Sequence, residues 1–222
     1  MSKVIASNEW RQARRQSARD AIVDAAWALV REEGLAALTL RDLAKRARIT
    51  TPTVYAYFDS KHAIYDAMFG QAATVFADLS TQLESEVDAE DPHVLFAESM
   101  RRFVDFCTRD VARYQLLFQR TIPGFEPSPE SYAPAVRSIE ALRARFARHG
   151  MTDPRHIDMW TAMLTGIVDQ QISNDPGGDR WARLIDDCVA MFLAYCQPHA
   201  PATKRRKSNR THKTSTNKGV RP

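Results

Sequence analysis

The chain has few cysteines and glycines, and no apolar run long enough to cross a bilayer. Its longest uncharged apolar stretch, Met159 to Val168, falls far short of the roughly 20 residues a spanning helix needs. No secretory apolar region opens it. The three cysteines, Cys107, Cys188 and Cys196, are odd in number, widely spaced and set in apolar segments. That pattern excludes a disulfide framework and points to buried thiols in a reducing cytoplasm. Asn-Gly and Asp-Gly pairs are absent and β-branched runs are few, so hairpins have no support and an all-α chain is expected. The six histidines, at 62, 93, 149, 156, 199 and 212, keep no metal-ligand spacing, and no nucleophile elbow or glycine-rich phosphate loop is present. Asp175-Pro-Gly-Gly-Asp179 lacks the further acidic ligands of a calcium loop. No catalytic, metal or cofactor site is expected, and an enzyme is the disfavoured class.

What is present is 222 residues, 44% of them hydrophobic, enough for a small domain and a larger one. The net charge of +4 hides three regions. Residues 1–70 carry 11 Lys/Arg against 8 Asp/Glu, residues 71–202 carry 12 against 19, and residues 203–222 carry 8 against none. Basic ends suit a polyanion, while an acidic middle is repelled by DNA and should stand away from it.

Residues 39–58 carry the most specific pattern. Thr39 is placed to cap a short helix, with Asp42 as the acidic half of a capping box and Leu40, Leu43 and Ala44 sharing its inner face. After a turn, Thr50 is placed to cap a second short helix, with Pro52 in its first turn and Val54 and Phe58 four apart on its inner face. Two short helices joined by a tight turn present the second to a DNA groove, leaving Thr51, Thr53, Ala56 and Tyr57 outward. Phe58 reads as core. Tyr55 is divided between packing and a phosphate contact, and Arg41, Lys45 and Arg46 between a solvated face and DNA.

Around this unit, residues 1–16, with Arg11, Arg14 and Arg15, read as a flexible basic arm lying along phosphates or in a minor groove. Ile22, Ala26, Leu29 and Val30 define a first helix stopped at Gly34. Ser60 caps a long fourth helix. Asp91-Pro92 breaks the chain, and longer helices follow, with Asp153-Pro154 starting another. Residues 198–222 hold too little apolar surface to fold and read as a disordered basic tail, with non-specific phosphate binding the favoured role.

The order of arginine arm, amphipathic helix ending Glu-Glu-Gly, Leu-Thr-Leu-Arg-Asp-Leu-Ala, turn, Thr-Val-Tyr-Ala-Tyr-Phe and Ser-Lys resembles the N-terminal domain of the TetR family of transcriptional regulators over about residues 15–70. The resemblance implies a homodimer whose N-terminal domains bind two operator half-sites, and a helical C-terminal domain that binds a small inducer. Position by position it implies that Thr39 meets a phosphate, that Thr50, Thr51 and Thr53 open the recognition helix, that Tyr55 and Tyr57 touch backbone or base, and that Lys61 forms a phosphate clamp. Arg48 stands where the family commonly has glycine in the turn. A left-handed conformation there costs a non-glycine residue roughly 1 kcal/mol, and its charge adds to the DNA-facing set.

In the larger domain, Phe103, Phe106, Tyr114, Phe118, Trp160 and Met163 are many large side chains for a thin helical layer. A mostly apolar ligand cavity among them is expected, with Arg120, Gln115 and Asp169 as candidates to orient the ligand. The last two helices are apolar most of the way round. Trp160, Leu164, Ile167, Trp181, Ile185 and Phe192 are assigned to a dimer interface of four-helix-bundle type, an internal helix pair in a monomer being the alternative.

The expectation is an all-α protein with four segments: a basic arm at 1–16, a three-helix helix-turn-helix domain at 17–66, a helical ligand-binding and dimerisation domain at 67–197, and a tail at 198–222. It reads as a cytoplasmic homodimeric repressor that binds double-stranded DNA at a palindromic operator, needs no cofactor, and is released by a small, mostly apolar effector that moves the fourth helix. The alternative is a constitutive or architectural DNA-binding protein, although such a protein needs no large aromatic-rich acidic domain.

Overall fold

Two hydrophobic clusters share one long helix. The structure, a computed structural model, describes residues 2–87 and 90–196. Among these residues there is no strand, and no helix is long and apolar enough to cross a membrane. The basic tail expected at 198–222 lies outside the described residues.

Helix α1 spans Ser2–Glu33 and stops where Gly34 takes φ 88°, a left-handed value that glycine adopts at little cost. Helices α2 (Leu40–Arg46) and α3 (Thr51–Tyr55) are the two short helices, and α4 (Lys61–Glu86) is the long fourth. Ser60 caps α4 by accepting the Ala63 N–H at 3.1 Å. The first cluster gathers Ile22, Ala26, Trp27 and Val30 of α1 with Leu43, Val54, Phe58, Ile64, Tyr65 and Met68, all nearly inaccessible. Burying each large side chain stabilises this small head by roughly 1.5–3 kcal/mol before entropy is counted.

Helices α5 (Pro92–Arg109), α6 (Val111–Phe118), α7 (Pro129–Arg148), α8 (Pro154–Asn174) and α9 (Ile185–Cys196) form the body. Asp91, Asp153 and Ser128 cap α5, α8 and α7, each ahead of a proline in the first turn. The second cluster centres on Phe96, Phe146, Trp160 and Phe192, whose ring centres lie 5.1–5.9 Å apart at steep angles. Helix α6 bridges the clusters, with Ala112 and Leu116 packed in the first and Tyr114 in the second. Asp110 caps α6 and pairs with Arg31 of α1 at 2.7 Å.

Three expectations change. The arm at 1–16 is helical, since α1 begins at Ser2; nothing among residues 2–21 is a strong helix breaker, and helix propagates readily once Ile22 to Val30 anchor it. The boundaries at 16/17 and 66/67 fall inside the continuous helices α1 and α4. Most of the residues assigned to a dimer interface face inward. Trp160, Ile185 and Phe192 are 0–3% exposed and Leu164 and Ile167 are 7% exposed, while Trp181 is half-buried. Side chains enclosed by their own core have no surface to offer a partner. The opposite faces carry the exposed positions Ala162 and Gly166 of α8 and Leu184, Met191 and Tyr195 in or next to α9.

Candidate functional site

Two short caps shape the helix-turn-helix unit. The Thr39 hydroxyl accepts the Asp42 N–H at 3.1 Å and donates to the Asp42 carboxylate at 2.5 Å, so the acidic partner holds the hydroxyl itself. The Thr50 hydroxyl accepts the Thr53 N–H at 3.3 Å and lies 2.8 Å from the Thr53 hydroxyl. Between the helices Arg48 takes φ 55°, the left-handed value expected for the turn, with its side chain exposed. The Ile49 N–H closes the turn on the Ala44 carbonyl at 3.0 Å.

The sequence-assigned residues separate by exposure. Val54 and Phe58 are buried in the head, whereas Tyr55 is 53% exposed, Thr39, Arg48 and Thr50 are exposed, and Thr51, Thr53 and Tyr57 are half-buried. Lys61 opens α4 with its ammonium donating to the Ala36 carbonyl at 3.3 Å and standing 5.4 Å from the Tyr65 ring centre. Arg41 and Lys45 are exposed, but Arg46 is held by Glu32 of α1, whose carboxyl that hydrogen bond draws below its ordinary range. Arg19 of α1 donates to the Tyr57 carbonyl and stacks 4.2 Å over Phe58, which ties α1 to the chain just past α3. Hydroxyls, an exposed aromatic ring and unburied cations thus lie along a surface whose inner side is fully apolar. Such a surface can offer donors to phosphates and side chains to base edges.

The body holds a cavity of about 310 Å³ walled by α4, α5, α6, α7 and α8. Phe103, Phe118 and Trp160 of the sequence-assigned set line it. Phe106, Tyr114 and Met163 do not: Phe106 packs on Phe76 at 5.3 Å, the Tyr114 hydroxyl donates to Asp169 at 2.7 Å, and half-buried Met163 lies outside the wall. Burial and the Asp169 hydrogen bond push the Tyr114 hydroxyl well above its ordinary value, and burial does the same to the Cys107 thiol. Asp169 also accepts from Gln119 at 2.9 Å. Neither Asp169 nor Arg120 nor Gln115 reaches the cavity.

Sequence reasoning missed Phe69, Phe76, Leu79 and Leu83 of α4 and Tyr132, Ile139 and Leu142 of α7, which complete the apolar wall. It also missed the polar groups at one end. Buried Arg145 donates to the Ser80 carbonyl at 3.3 Å, and Arg102 is held by Glu98 and Glu86 at 2.9 Å each. Only the apolar period of α4 beyond Phe76 hinted at a second buried face. Nearer the head, the Asp66 carboxylate of α4 accepts the Ser128 N–H at 2.6 Å and the Ser128 and Ser131 hydroxyls at 2.9 Å each. The helix that opens at Lys61 therefore also forms one cavity wall and is pinned to another.

Residues 22–68 match the family described as "Bacterial regulatory proteins, tetR family". No curated protein matches the chain by sequence. Among solved structures, a TetR family transcription regulator from Marinobacter aquaeolei VT8 shares 17% identity at a TM-score of 0.63, over 82% of this chain and 97% of that one. The regulator FadR from Bacillus subtilis, solved with stearoyl-CoA, shares 16% at 0.58 over 78% and 97%, and RolR, solved with resorcinol, shares 18% at 0.52 over 81% and 89%. At these identities the likeness establishes the fold, and the family match rests on residues 22–68. The helix-turn-helix head at residues 22–68 is thus similar to bacterial regulatory proteins of the tetR family, and the all-helical fold is shared with solved structures described as TetR-family regulators.

Proposed function

We propose that this regulator is a repressor that binds a palindromic operator as a homodimer in the cytoplasm and leaves it when a small, mostly apolar effector enters the body. The observation that carries this reading is the double role of α4. Lys61 at its start lies beside the helix-turn-helix unit, while Phe69, Phe76, Leu79 and Leu83 wall the cavity. A ligand that parts α4 from α7 shifts the head, and recognition helices held for half-sites about 34–36 Å apart lose their register after a displacement of a few ångströms. Solved relatives that hold resorcinol and stearoyl-CoA support a ligand-bearing body. The exposed faces of α8 and α9, with Gly166 and Met191, suit the dimer contact.

In this reading Thr51, Thr53, Tyr55 and Tyr57 meet the groove, and Thr39, Arg48, Thr50 and Lys61 meet phosphates. Thr39 serves only where its hydroxyl leaves Asp42. Selection of bound duplexes from a random library tests the reading. It should return an inverted repeat, whose genomic neighbours then nominate effectors, and an effector that releases the wild type should fail on Leu142→Trp, which fills the cavity. Recovery of single, unrepeated sites would overturn the dimeric operator reading, and undiminished release from the filled variant would remove the cavity from the mechanism.

A further inference from the structure

Helix α1 does more than support the head. Its contacts run in order along its length. Arg31 pairs with Asp110 of the body and the Trp27 indole donates to Gln71 of α4 at 2.6 Å, while Arg19 grips the Tyr57 carbonyl beside the recognition helix. Passing from Arg31 through Arg19 toward the N-terminus therefore leads away from the body and past the end of α3. From residue 9 onward, residues 9–17 are exposed throughout and burial begins at Ile22.

This projecting stretch is charged on one side. At 3.6 residues per turn, Arg14, Arg11, Arg15 and Arg19 fall within an arc of about 140°, while the acids Glu9 and Asp20 fall together beyond it. Arg14 is steadied over the exposed Trp10 ring at 5.5 Å, and Gln16 donates to Asp20 on the other side. Arg15 and Arg11 stand one and two turns beyond Arg19, about 6 and 12 Å along the axis. A basic row thus begins at the recognition helix and continues outward from it.

We propose that residues 9–19 form a second DNA contact, a helical strut whose arginine face engages the phosphate backbone flanking the half-site. A helix about 10–12 Å across does not enter a minor groove about 6 Å wide, so the contact is with backbone phosphates and carries no base preference. The inference rests on the head's binding DNA as proposed above.

Salt-dependent binding tests it, using the full chain and a mixed-sequence duplex of about 40 base pairs read by fluorescence anisotropy from about 50 to 200 mM salt. The combined variant Arg11→Gln, Arg14→Gln, Arg15→Gln should flatten the slope of log affinity against log salt by about 2–3 per protomer, near 0.9 for each phosphate that is no longer neutralised. Ala13→Pro keeps every charge but breaks the helix, and its slope should fall toward that of the triple variant. A wild-type slope in either variant overturns the strut. Lys61→Ala separates the two readings: if it weakens binding while the arginine variants do not, the head reading stands and the strut falls, and if none of the three changes binding, the head reading fails with it.

Discussion

The Asp66 carboxylate receives both the backbone N–H and the hydroxyl of Ser128, at 2.6 and 2.9 Å, and so fastens α4 to the start of α7 close to the head. Ser131 adds a third bond at 2.9 Å, and Gly70 lets the helices approach, since a Cβ there would lie 3.1 Å from the Ser131 hydroxyl. Hydrogen bonds to a charged, partly buried acceptor contribute about 1.5–3 kcal/mol where removal leaves donors unpaired. Asp66→Ala should lower stability by about 2 kcal/mol, read as the midpoint of urea unfolding, and Gly70→Ala should weaken the same junction by pushing Ser131 away. A midpoint unchanged by Asp66→Ala would show that the junction contributes nothing.

The turn stores a small strain. Arg48 at φ 55° bears roughly 1–2 kcal/mol of left-handed cost, from which the extra unfolded-state freedom of glycine, about 0.4–1 kcal/mol, must be subtracted. Arg48→Gly should therefore raise stability slightly, by about 0.5 kcal/mol, while weakening DNA binding through loss of the charge. Thermal unfolding and anisotropy read the two effects, and a clear loss of stability would contradict the strain.

If the chain dimerises as proposed, burial decides which substitutions separate the subunits and which unfold them. Met191, 62% exposed, lies on the outer face of α9, and Ile185, 3% exposed, on the inner one. Met191→Arg should yield a folded monomer in sedimentation, whereas Ile185→Ala should cost about 2–5 kcal/mol through the cavity it leaves. A dimer that survives charge at Met191 would move the interface elsewhere.

Tyr65 supplies an alkaline signature. Its hydroxyl donates to the Leu35 carbonyl in the head core, and burial raises its pKa to about 12. An unfolded tyrosine releases its proton near pH 10, so its contribution to stability is complete below that pH and declines as pH rises toward about 12. Alkaline unfolding of Tyr65→Phe should be less steep over that window, followed by circular dichroism. Identical curves would place the titration on other groups.

What the sequence determined by itself is local. Thr39, Thr50, Ser60 and Asp153 cap the helices anticipated for them, because a cap acts on N–H groups two or three residues away. The helix-turn-helix unit was legible for the same reason, down to the left-handed turn at Arg48. What only tertiary structure decided depends on which side of a helix is turned inward. Apolar residues on both sides of α8 and α9 left that choice open, and packing of Trp160 against Phe96, Phe146 and Phe192 settled it. The cavity wall was likewise beyond periodicity. Phe106 and Phe118 lie on the same aromatic-rich stretch, yet only Phe118 borders the space. The junction of Asp66 with Ser128 joins residues 62 positions apart, a pairing no short-range signal encodes, because it exists only once α7 has come to lie along α4.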